Sequence, residues 1–516
     1  MMPDLNPTLQ LMPEASGLEK GQKVGLGFVA AGLLLILVGA FGGASVLTLR
    51  SFLIGLAALT TGLFVYYSRR LVSPTTRLKK GERRGLYLLG AGFFFMLLAL
   101  AGPGAALPAV FFWMSTGLVM IGGLVYAWER YGKGPAGIRN EGLQLSSTTA
   151  RGAVGWVLGI VMTGFYVLLY WFPQSLEALV RTADPLSWVL RGRAADQWFL
   201  YGTFYTVAVL VMGMRAIFKY RHSRYQIIRT LSVMFFQLGF AFLLPGLLLL
   251  FNQPEYYFSY FWPLDYDLLF PGSVSSLMGT PGGLGVFMLV WGAVLTFIAT
   301  PVLTYFFGKR WYCSWVCGCG GLAETLGDPW RHLSDKSLKA WQVERWMIHS
   351  VLAFITVTTL MLWINSATGG AVLGGLSGAF SRAYGFLIGS VFAGVIGVGF
   401  YPVLGSRVWC RFGCPMAAVL GLYQKYFSRF RITTNGGQCI SCGNCSTYCE
   451  MGIDVRWYAQ RGQNIVRASC VGCGVCSSVC PRGVLSLENG PKEGRYNGPV
   501  LIDRDDLVML DDERYG

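Results

Sequence analysis

The chain has 516 residues, of which 53% are hydrophobic and only 13% are charged. This balance excludes a protein that is water-soluble along its whole length. The formal net charge is +16, but the basic residues are scattered through the connections between apolar segments, which argues against nucleic-acid binding. Apolar runs long enough to cross about 30 Å of hydrocarbon recur along the chain and predict an α-helical polytopic membrane protein.

We predict about ten transmembrane helices from these runs. They cover residues 24–47, 51–68, 85–102, 106–127, 151–172, 197–218, 230–251, 283–307, 343–364 and 384–405. The first run lies where a signal peptide would lie. It is too long for one, lacks a small-residue cleavage site and leads into further spans, so we expect a retained helix.

The N-terminal spans contain an internal repeat, in which residues 20–70 match residues 80–130 at an offset of 60. Lys20 corresponds to Lys80, and Gly62 corresponds to Gly122. The repeat predicts a duplicated two-helix hairpin, and therefore a four-helix unit over residues 1–150. This unit has no Cys and no His, so we expect a packing or docking module whose glycines allow close helix approach.

The distribution of Lys and Arg predicts the orientation of the bundle. Three connections are rich in basic residues: 69–84, 219–229 and 308–342. The connection 252–282 has no Lys or Arg, and 365–383 has one Arg. This alternation predicts a protein of the bacterial inner membrane with both termini and every cysteine on the cytoplasmic side.

The connection 173–196 fits this orientation less well, because Arg181, Arg191 and Arg193 would lie outside. A cytoplasmic location still agrees best with the cysteine content. Thiols stay reduced in the cytoplasm, so thirteen cysteines indicate metal binding rather than disulfides.

A second repeat, at an offset of 97, carries cysteines just past the ends of two predicted spans. Cys313 and Cys317 in the first copy correspond to Cys410 and Cys414 in the second. The i, i+4 spacing would put both thiols of a copy on one face of a helical turn. Two such pairs offer four thiolates, enough for one further cluster or one soft metal ion. A pair of buried, redox-inert thiols is the alternative.

Arg310 and Arg407 are equivalent in this repeat, and we expect both to offset the negative charge of a shared thiolate centre. The first copy departs from the second after its last cysteine. Gly318 stands where the second copy has Pro415, and Cys319 adds a third thiol that either replaces one of the four or stays free.

Eight further cysteines form the pattern C-x2-C-x2-C-x3-C twice, 31 positions apart. This run typically holds two [4Fe-4S] clusters, with the fourth cysteine of each copy bound to the cluster of the other. The first cluster is assigned to Cys439, Cys442, Cys445 and Cys480, and the second to Cys470, Cys473, Cys476 and Cys449. Zinc is the alternative, but zinc needs only two C-x2-C pairs. Pro481 follows the last cysteine, whereas Glu450 occupies the equivalent place in the first copy.

The segment 436–485 resembles bacterial two-cluster ferredoxins, which implies a small α+β ferredoxin-like domain. Residues 151–485 as a whole resemble the membrane-integral polyferredoxins. These are the nitrous-oxide-reductase regulator, periplasmic-nitrate-reductase quinol dehydrogenase and cytochrome-oxidase assembly types. They carry spans followed by C-x3-C-P motifs, as in Cys410 to Pro415, and then a cytoplasmic two-cluster ferredoxin. The resemblance implies electron transfer between the quinone pool and other redox enzymes, or assistance in metalloenzyme assembly.

We therefore divide the chain into four parts. These are a four-helix unit (1–150), a six-helix core with two C-x3-C motifs (151–430), a 2[4Fe-4S] domain (431–490) and an acidic tail (491–516). Glu344, Arg345 and His349 lie at the start of a predicted span and form a candidate quinone or proton site; a charged interfacial belt is the alternative.

No acid–base dyad or nucleophile stands out in the sequence, so we expect an electron-transfer subunit rather than a self-contained enzyme. Quinol dehydrogenase activity within a larger complex remains a candidate. The expected cofactors are two [4Fe-4S] clusters, with a third metal centre and a quinone as further candidates. The expected partners are the lipid bilayer and redox subunits or a metalloenzyme. The alternative functions are a metallocentre assembly or metal-handling factor and a redox-sensing regulatory membrane protein.

Overall fold

The computed structural model describes residues 20–41, 54–55, 58, 62, 79–101, 106–133, 136–137, 153–267 and 269–490. Most of the predicted 51–68 span and all of the acidic tail lie outside these residues. The chain divides into two compact units. One comprises residues 1–126 with 140–148, and the other comprises 127–139 with 149–516.

The N-terminal unit has helices at Lys20–Phe41, Lys80–Ala101 and Ala106–Ala127. The first two have equal lengths and start 60 residues apart, which is the offset of the sequence repeat. Glycines mark the helix contacts at equivalent places in both copies. A Cβ on Gly62 would lie 2.6 Å from the carbonyl oxygen of Gly25, and one on Gly122 would lie 2.9 Å from that of Gly85. Larger side chains would therefore push the helices apart.

Six helices in the described part of the chain are long and apolar enough to cross a membrane. They are Ala109–Gly132, Gln197–Lys219, Arg224–Leu250, Leu284–Phe307, Leu338–Ala367 and Leu376–Ile396. A seventh span is formed if Gly155–Trp171 and Pro173–Arg181, which meet at a 117° bend, are counted as one. The protein is therefore a multi-pass membrane protein.

The last of these helices differs from the predicted 384–405 span. It begins at Leu376 and ends at Ile396, and a turn then leads into the short helix Tyr401–Leu404. Gly397 and Gly399 lie in this turn, where a Cβ would come within 2.4 Å of backbone oxygens. The apolar composition continues past Ile396 because residues such as Tyr401 and Val403 are buried in the protein.

The connections 173–196 and 252–282 meet on one side of the bundle. Arg191 forms an ion pair with Asp196 at 2.8 Å, and Arg193 pairs with Glu255 at 3.0 Å. Arg181 is paired with Glu177 one helical turn away. Each of the three arginines that fit the predicted orientation poorly therefore has an acidic partner on its own side.

Short elements form the connections after the last spans and the C-terminal domain itself. The helices are Arg310–Cys313, Gly318–Glu324, Asp328–Leu333, Trp409–Gly413, Pro415–Tyr426, Asn444–Thr447, Val455–Gln460 and Val475–Ser478. Two antiparallel strands, Phe430–Thr434 and Leu485–Asn489, pair with Phe430 opposite Asn489. Every residue of the first strand is buried. The small domain therefore packs closely on the membrane part rather than hanging from a linker.

Candidate metal centres

Two cavities of similar size lie in the C-terminal domain, and each is lined by four cysteines. The first, of about 350 Å³ counting the part open to solvent, is lined by Cys439, Cys442, Cys445 and Cys480. The second, of about 390 Å³ counted in the same way, is lined by Cys449, Cys470, Cys473 and Cys476. Each cavity thus receives three cysteines from one copy of the repeat and the fourth from the other copy.

The backbone around the two cavities is duplicated as closely as the cysteines. Gly443 and Gly474 both have positive φ and each precedes a short helix. Ser441 and Gly472, also 31 positions apart, have φ values of 57° and 62°. Left-handed residues between closely spaced cysteines curl the chain around a central point. Four thiols around such a loop suit a cubane cluster, so the donor set fits [4Fe-4S].

The two cavities differ in their surroundings. Cys442 and Ile440, at the first cavity, are exposed, whereas Cys470 and Cys476, at the second, are buried. The first cavity therefore lies nearer to solvent.

The second cavity is fixed against the membrane part. Side chains from that part donate hydrogen bonds to carbonyl oxygens of the second cysteine loop. Tyr225 donates to Gly472 at 2.8 Å, and Gln226 donates to Cys473 at 2.8 Å. Ser314, which lies next to Cys313, donates to Val471 at 2.7 Å. These bonds position the second cavity beside the C-x3-C motifs.

The structure brings the two C-x3-C motifs together. Cys313, Cys410 and Cys414 are buried in one hydrophobic core, and Cys317 packs against it. Burial raises the pKa of the Cys414 thiol, and Cys410, Cys313 and Cys317 are near enough to raise it further. The four thiols therefore share one site, which lies outside the membrane-spanning helices.

The local geometry of this site differs from a regular helical turn. Gly308 and Gly405 have positive φ at the start of the two copies, and Cys317 and Cys414 are extended residues that each begin a new helix. The Cys317 amide donates to the Tyr312 carbonyl, five residues back, and Cys414 repeats this with Trp409. Each pair is therefore presented by a wide turn followed by a helix start.

Cys319 lies beside Cys317, and its thiol is also near Cys410 and Cys414. A hydrogen bond from Cys319 is the main reason that the pKa of Cys317 is lowered to about 6. Cys319 itself is accessible, because it lines a large cavity within the bundle. It is therefore adjacent to the four-thiol site and in contact with the space beside it.

Arg407 and Arg310, which are equivalent in the repeat, have different contacts. Arg407 is fully buried, and its Nη1 atom lies 2.9 Å from the Cys313 carbonyl oxygen and 3.6 Å from Cys410 Sγ. Arg310 instead lies over the Phe430 ring and donates to Asn489 at 3.3 Å. The expectation that both arginines face the thiols is therefore wrong for Arg310. Lys309, also buried, is the second cation near Cys313.

Sequence reasoning missed a buried network of charges between the four-thiol site and the second cavity. Its acids are Glu324, Asp328 and Glu450, and its bases are Arg215, Lys219, Arg229, Arg331 and Arg407. Five bases against three acids leave an excess of positive charge beside the cysteines. Such an excess suits the negative charge of thiolate-bound clusters, which further supports the fit of the site to an iron–sulfur group.

The acids of this network differ in their proton affinity. Burial alone would raise the pKa of Glu324, but Arg229, Arg331 and Arg407 hold it well below its usual range. Burial raises the pKa of Glu450, and the arginines offset only part of this effect. Glu324, Glu450 and Cys473 lie close enough to form a metal site. The surrounding arginines occupy the carboxylates and oppose a cation there, so we interpret the group as an ion-pair network.

The candidate quinone residues Glu344, Arg345 and His349 do not form one group. Glu344 is buried and accepts a hydrogen bond from Arg411 Nε at 2.7 Å. Arg345 and His349 are exposed, and Arg345 lies over the ring of Trp341. The carboxylate is thus used in an ion pair with the residue after Cys410.

A larger cavity of about 1820 Å³, counting the part open to solvent, runs through the bundle. One end is lined by Arg193 and Glu255 from the connections 173–196 and 252–282, and the other by Gly318 and Cys319. Aromatic side chains line the wall between these ends: Tyr166, Tyr170, Trp198, Tyr201 and Tyr205. The cavity therefore connects the side of the bundle opposite the cysteines with the four-thiol site.

The inner end of this cavity is held by hydrogen bonds. The Tyr205 hydroxyl lies 2.7 Å from the Gly318 carbonyl oxygen and 3.0 Å from Gln237 Oε1. Tyr166 and Tyr201 are 3.3 Å apart at their hydroxyl oxygens. The wall next to the first cysteine motif is therefore aromatic, polar at its inner end and well ordered by contacts.

Two protein families match the cysteine-bearing segments. A family described as "4Fe-4S binding domain" matches residues 289–338 and 386–434, and one described as "4Fe-4S dicluster domain" matches residues 438–485. The first two segments begin at the 97-residue offset of the repeat, and each contains one C-x3-C motif. The third contains all eight ferredoxin cysteines.

Two curated proteins are similar to part of the chain. "Putative electron transport protein YccM" of Escherichia coli is 26% identical over 182 residues, which make up 32% of this chain and 47% of that protein. "Uncharacterized protein MJ0749" of Methanocaldococcus jannaschii is 26% identical over 163 residues, or 31% of this chain and 59% of that protein. The chain thus spans about half the length of these relatives. No solved structure gives a significant match.

The expectation of 4Fe-4S domains in a membrane protein is confirmed by these matches and by the apolar helices. The family matches identify 4Fe-4S binding segments, and one partial relative carries the name of an electron transport protein.

Proposed function

We propose that the protein passes single electrons between a quinone pool or a partner redox subunit and two [4Fe-4S] clusters on the cytoplasmic side of the membrane. The observation that carries this proposal is the arrangement of thiols in series. The exposed first cavity, the buried second cavity and the four-thiol site form a path from solvent to the membrane part. Such an order suits electron transfer, since the second cavity has a neighbouring thiol site on either side.

The first cluster would be held by Cys439, Cys442, Cys445 and Cys480, and the second by Cys470, Cys473, Cys476 and Cys449. These clusters would supply one-electron chemistry, and the protein would set their potentials through burial and hydrogen bonds to sulfur. A third metal centre would be held by Cys313, Cys317, Cys410 and Cys414, with Cys319 left free. The match of both motif segments to a 4Fe-4S binding family supports this assignment.

For the quinone we propose the aromatic cavity as the binding site. Its wall of tyrosines offers flat surfaces for a ring, and Tyr205 places a hydroxyl at the inner end. The Glu344, Arg345 and His349 group is the competing site. It is supported less well, because the Glu344 carboxylate is engaged with Arg411.

The proposed orientation keeps both termini and all cysteines in the cytoplasm. The acidic pairing of Arg191 and Arg193 supports it, because these residues then add no net positive charge outside. We retain about ten spans as the proposed total.

Metal handling is the second candidate function. The third thiol of the first motif favours it, since Cys319 lies next to Cys317 and reaches a cavity through which a soft metal ion could arrive. Copper bound to isolated protein, with clusters that do not respond to quinol, would support this candidate against electron transfer.

An anaerobic redox titration followed by EPR tests the proposed function. We expect signals from two [4Fe-4S] clusters and reduction of at least one by added quinol. Cys442→Ser and Cys476→Ser should each remove the signal of one cluster, the first and the second respectively. Zinc in place of iron, or clusters that quinol never reduces, would contradict the proposal.

Two further variants separate the proposed quinone sites. Tyr205→Phe should slow reduction by quinol, whereas His349→Ala should leave it near the wild-type rate. The opposite result would favour the site near His349, and chemical reduction of the clusters serves as the control for both variants.

A further inference from the structure

A closed ring of four buried side chains lies between the four-thiol site and the second cavity. Arg407 Nη2 lies 2.7 Å from one oxygen of Glu324, and Arg331 Nη2 lies 2.7 Å from the other. Glu450 completes the ring, with its two oxygens 3.0 Å from Arg407 Nε and Arg331 Nη1. Each arginine therefore contacts both carboxylates, and each carboxylate contacts both arginines.

Each arginine of the ring also reaches a cysteine. Arg407 Nη1 lies 3.6 Å from Cys410 Sγ, in the four-thiol site. Arg331 Nη1 lies 3.8 Å from Cys473 Sγ, at the second cavity. The hydrogen-bonded series from one sulfur to the other runs through Glu324. Glu450 adds ion pairs to both arginines, but its oxygens accept no hydrogen bond from the described residues.

The ring is buried away from solvent and held by several ion pairs. All four side chains are 2% exposed or less, and Glu324 is held further by Arg229 at 2.5 Å. Hydrogen-bonded contacts couple two redox sites better than an equal gap of packed atoms, because tunnelling decays more slowly along bonded contacts. Fixed charges near sulfur also change the potential of the attached group, and they act strongly where water is excluded.

Glu450 is the ring residue that differs between the two copies of the ferredoxin motif. It follows Cys449 and occupies the place that Pro481 occupies after Cys480 in the second copy. A proline there would supply no carboxylate, and the two arginines would lose their second shared acid. The contacts of Glu450 with Arg331 and Arg407 therefore explain why the first copy has glutamate where the second has proline.

We propose that Arg331 and Arg407, held by Glu324 and Glu450, form the bridge by which electrons pass between the four-thiol site and the second cluster. The proposal rests on the proposed function, since it needs redox groups at both ends. One electron leaves the group at one end and enters the group at the other. No covalent bond changes and no proton is transferred.

The first test is the potential of the second cluster, measured by EPR-monitored titration of the full-length protein. Glu450→Gln removes a negative charge and should shift this potential upward. Arg331→Gln removes a positive charge and should shift it downward. The first cluster serves as the internal control, and its potential should change much less in both variants.

A purely structural ring would give another result. Both variants would then lose cluster occupancy to a similar degree, and the remaining second cluster would titrate at the wild-type potential. Asp328→Asn is the matched control for stability. Because Asp328 also pairs with Arg331 of the ring, Arg191→Gln is measured beside it. Arg191→Gln breaks the ion pair of a buried arginine with Asp196 and leaves every ring contact in place.

The second test is the rate at which the second cluster is reduced after quinol is mixed with the oxidised protein. Arg407→Lys keeps the charge but cannot contact Glu324, Glu450 and Cys410 at once. It should slow this step at least tenfold, while iron content and the potential stay near wild type. An unchanged rate with full iron content would overturn the bridge.

Failure of the proposed function can be told apart from failure of the bridge. If quinol reduces no cluster in the wild-type protein, the function is wrong and the rate test has no signal. The potential test does not depend on quinol, so opposite shifts in Glu450→Gln and Arg331→Gln would still support the electrostatic coupling of the ring to the second cluster. Equal potentials in both variants would overturn it.

Discussion

Replacing Glu324 by Gln should destabilise the protein more than any exposed charge substitution. The carboxylate contacts Arg229, Arg331 and Arg407 at 2.5–2.7 Å, and all four side chains are buried. Glutamine has nearly the same size, so the change removes charge while leaving little empty space. The result therefore reports the ion pairs rather than a cavity.

The structure allows the magnitude to be estimated. Removing one partner of a buried ion pair typically costs about 3–5 kcal/mol, because the other charge is left uncompensated. Arg331 and Arg407 keep Glu450, whereas Glu324 is the acidic partner of Arg229 within the described residues. The variant thus leaves one arginine without its acidic partner. We expect the free energy of unfolding to fall by an amount near the lower limit, about 3 kcal/mol. This loss corresponds to a change of roughly a hundredfold in the folding equilibrium.

The assay is denaturant unfolding of the detergent-solubilised protein, followed by tryptophan fluorescence under anaerobic conditions. Glu177→Gln is the control, because it breaks an exposed pair with Arg181 and should cost less than about 1 kcal/mol. Equal unfolding midpoints for the two variants would refute the reasoning, since the buried network would then contribute no more than a surface pair.

Three further predictions concern other parts of the chain. Arg229, Arg331 and Arg407 hold the pKa of Glu324 below the usual carboxyl range, and Lys219, Arg215 and Arg331 do so for Asp328. Their contribution to stability is therefore present above about pH 4 and is lost as the pH falls further. Unfolding midpoints from about pH 7 to about pH 3 should show this loss, with a flatter profile for Glu324→Gln. A chain that starts near Ala127 should insert and keep its clusters. One that starts near Leu143 should be less stable, because it lacks the contact of Tyr131 with Arg215 at 3.0 Å. Iron content and thermal half-life distinguish the two chains. Reporter fusions after the last residue and in the 252–282 connection should report opposite sides of the membrane, and equal signals would show that the span count is wrong.

The cysteine pattern predicted which thiols lie together in the C-terminal domain. Two copies of C-x2-C-x2-C-x3-C predict two groups of four thiols, and the structure lines one cavity with each group. The spacing is informative because a cubane needs three nearby thiolates and a fourth from elsewhere. The membrane spans were also predictable in type, since their apolar runs are long, but their limits were not.

The limits of the spans depend on contacts that hydrophobicity does not record. The Arg224–Leu250 helix begins before the predicted residue 230 because its first turns are polar but have partners. Arg229 pairs with Glu324, and Gln226 donates to Cys473. Conversely, the apolar run that ends near residue 405 leaves the last helix at Ile396 and continues into the protein interior. Apolar composition indicates burial, and burial in protein and in lipid look alike in sequence.

The charged network could not be read from the sequence for a related reason. Arg229, Glu324 and Glu450 are far apart in the chain, and a single charged residue in a connection usually lies in solvent. Only one of them carried a signal, because Glu450 interrupts a duplicated motif at the place of Pro481. A charged residue at the place where the other copy of a motif has proline is thus a better indicator of a buried partner than charge alone.

The same reasoning explains why the equivalent arginines of the 97-residue repeat diverged. The ferredoxin domain covers the four-thiol site from one side, and the buried charges lie on that side, between the thiols and the second cavity. Arg407 lies on this side and meets Glu324 and Glu450, whereas Arg310 meets the strand residue Phe430. Because the domain packs against the two copies asymmetrically, the repeat keeps its thiols in common and divides the roles of its arginines.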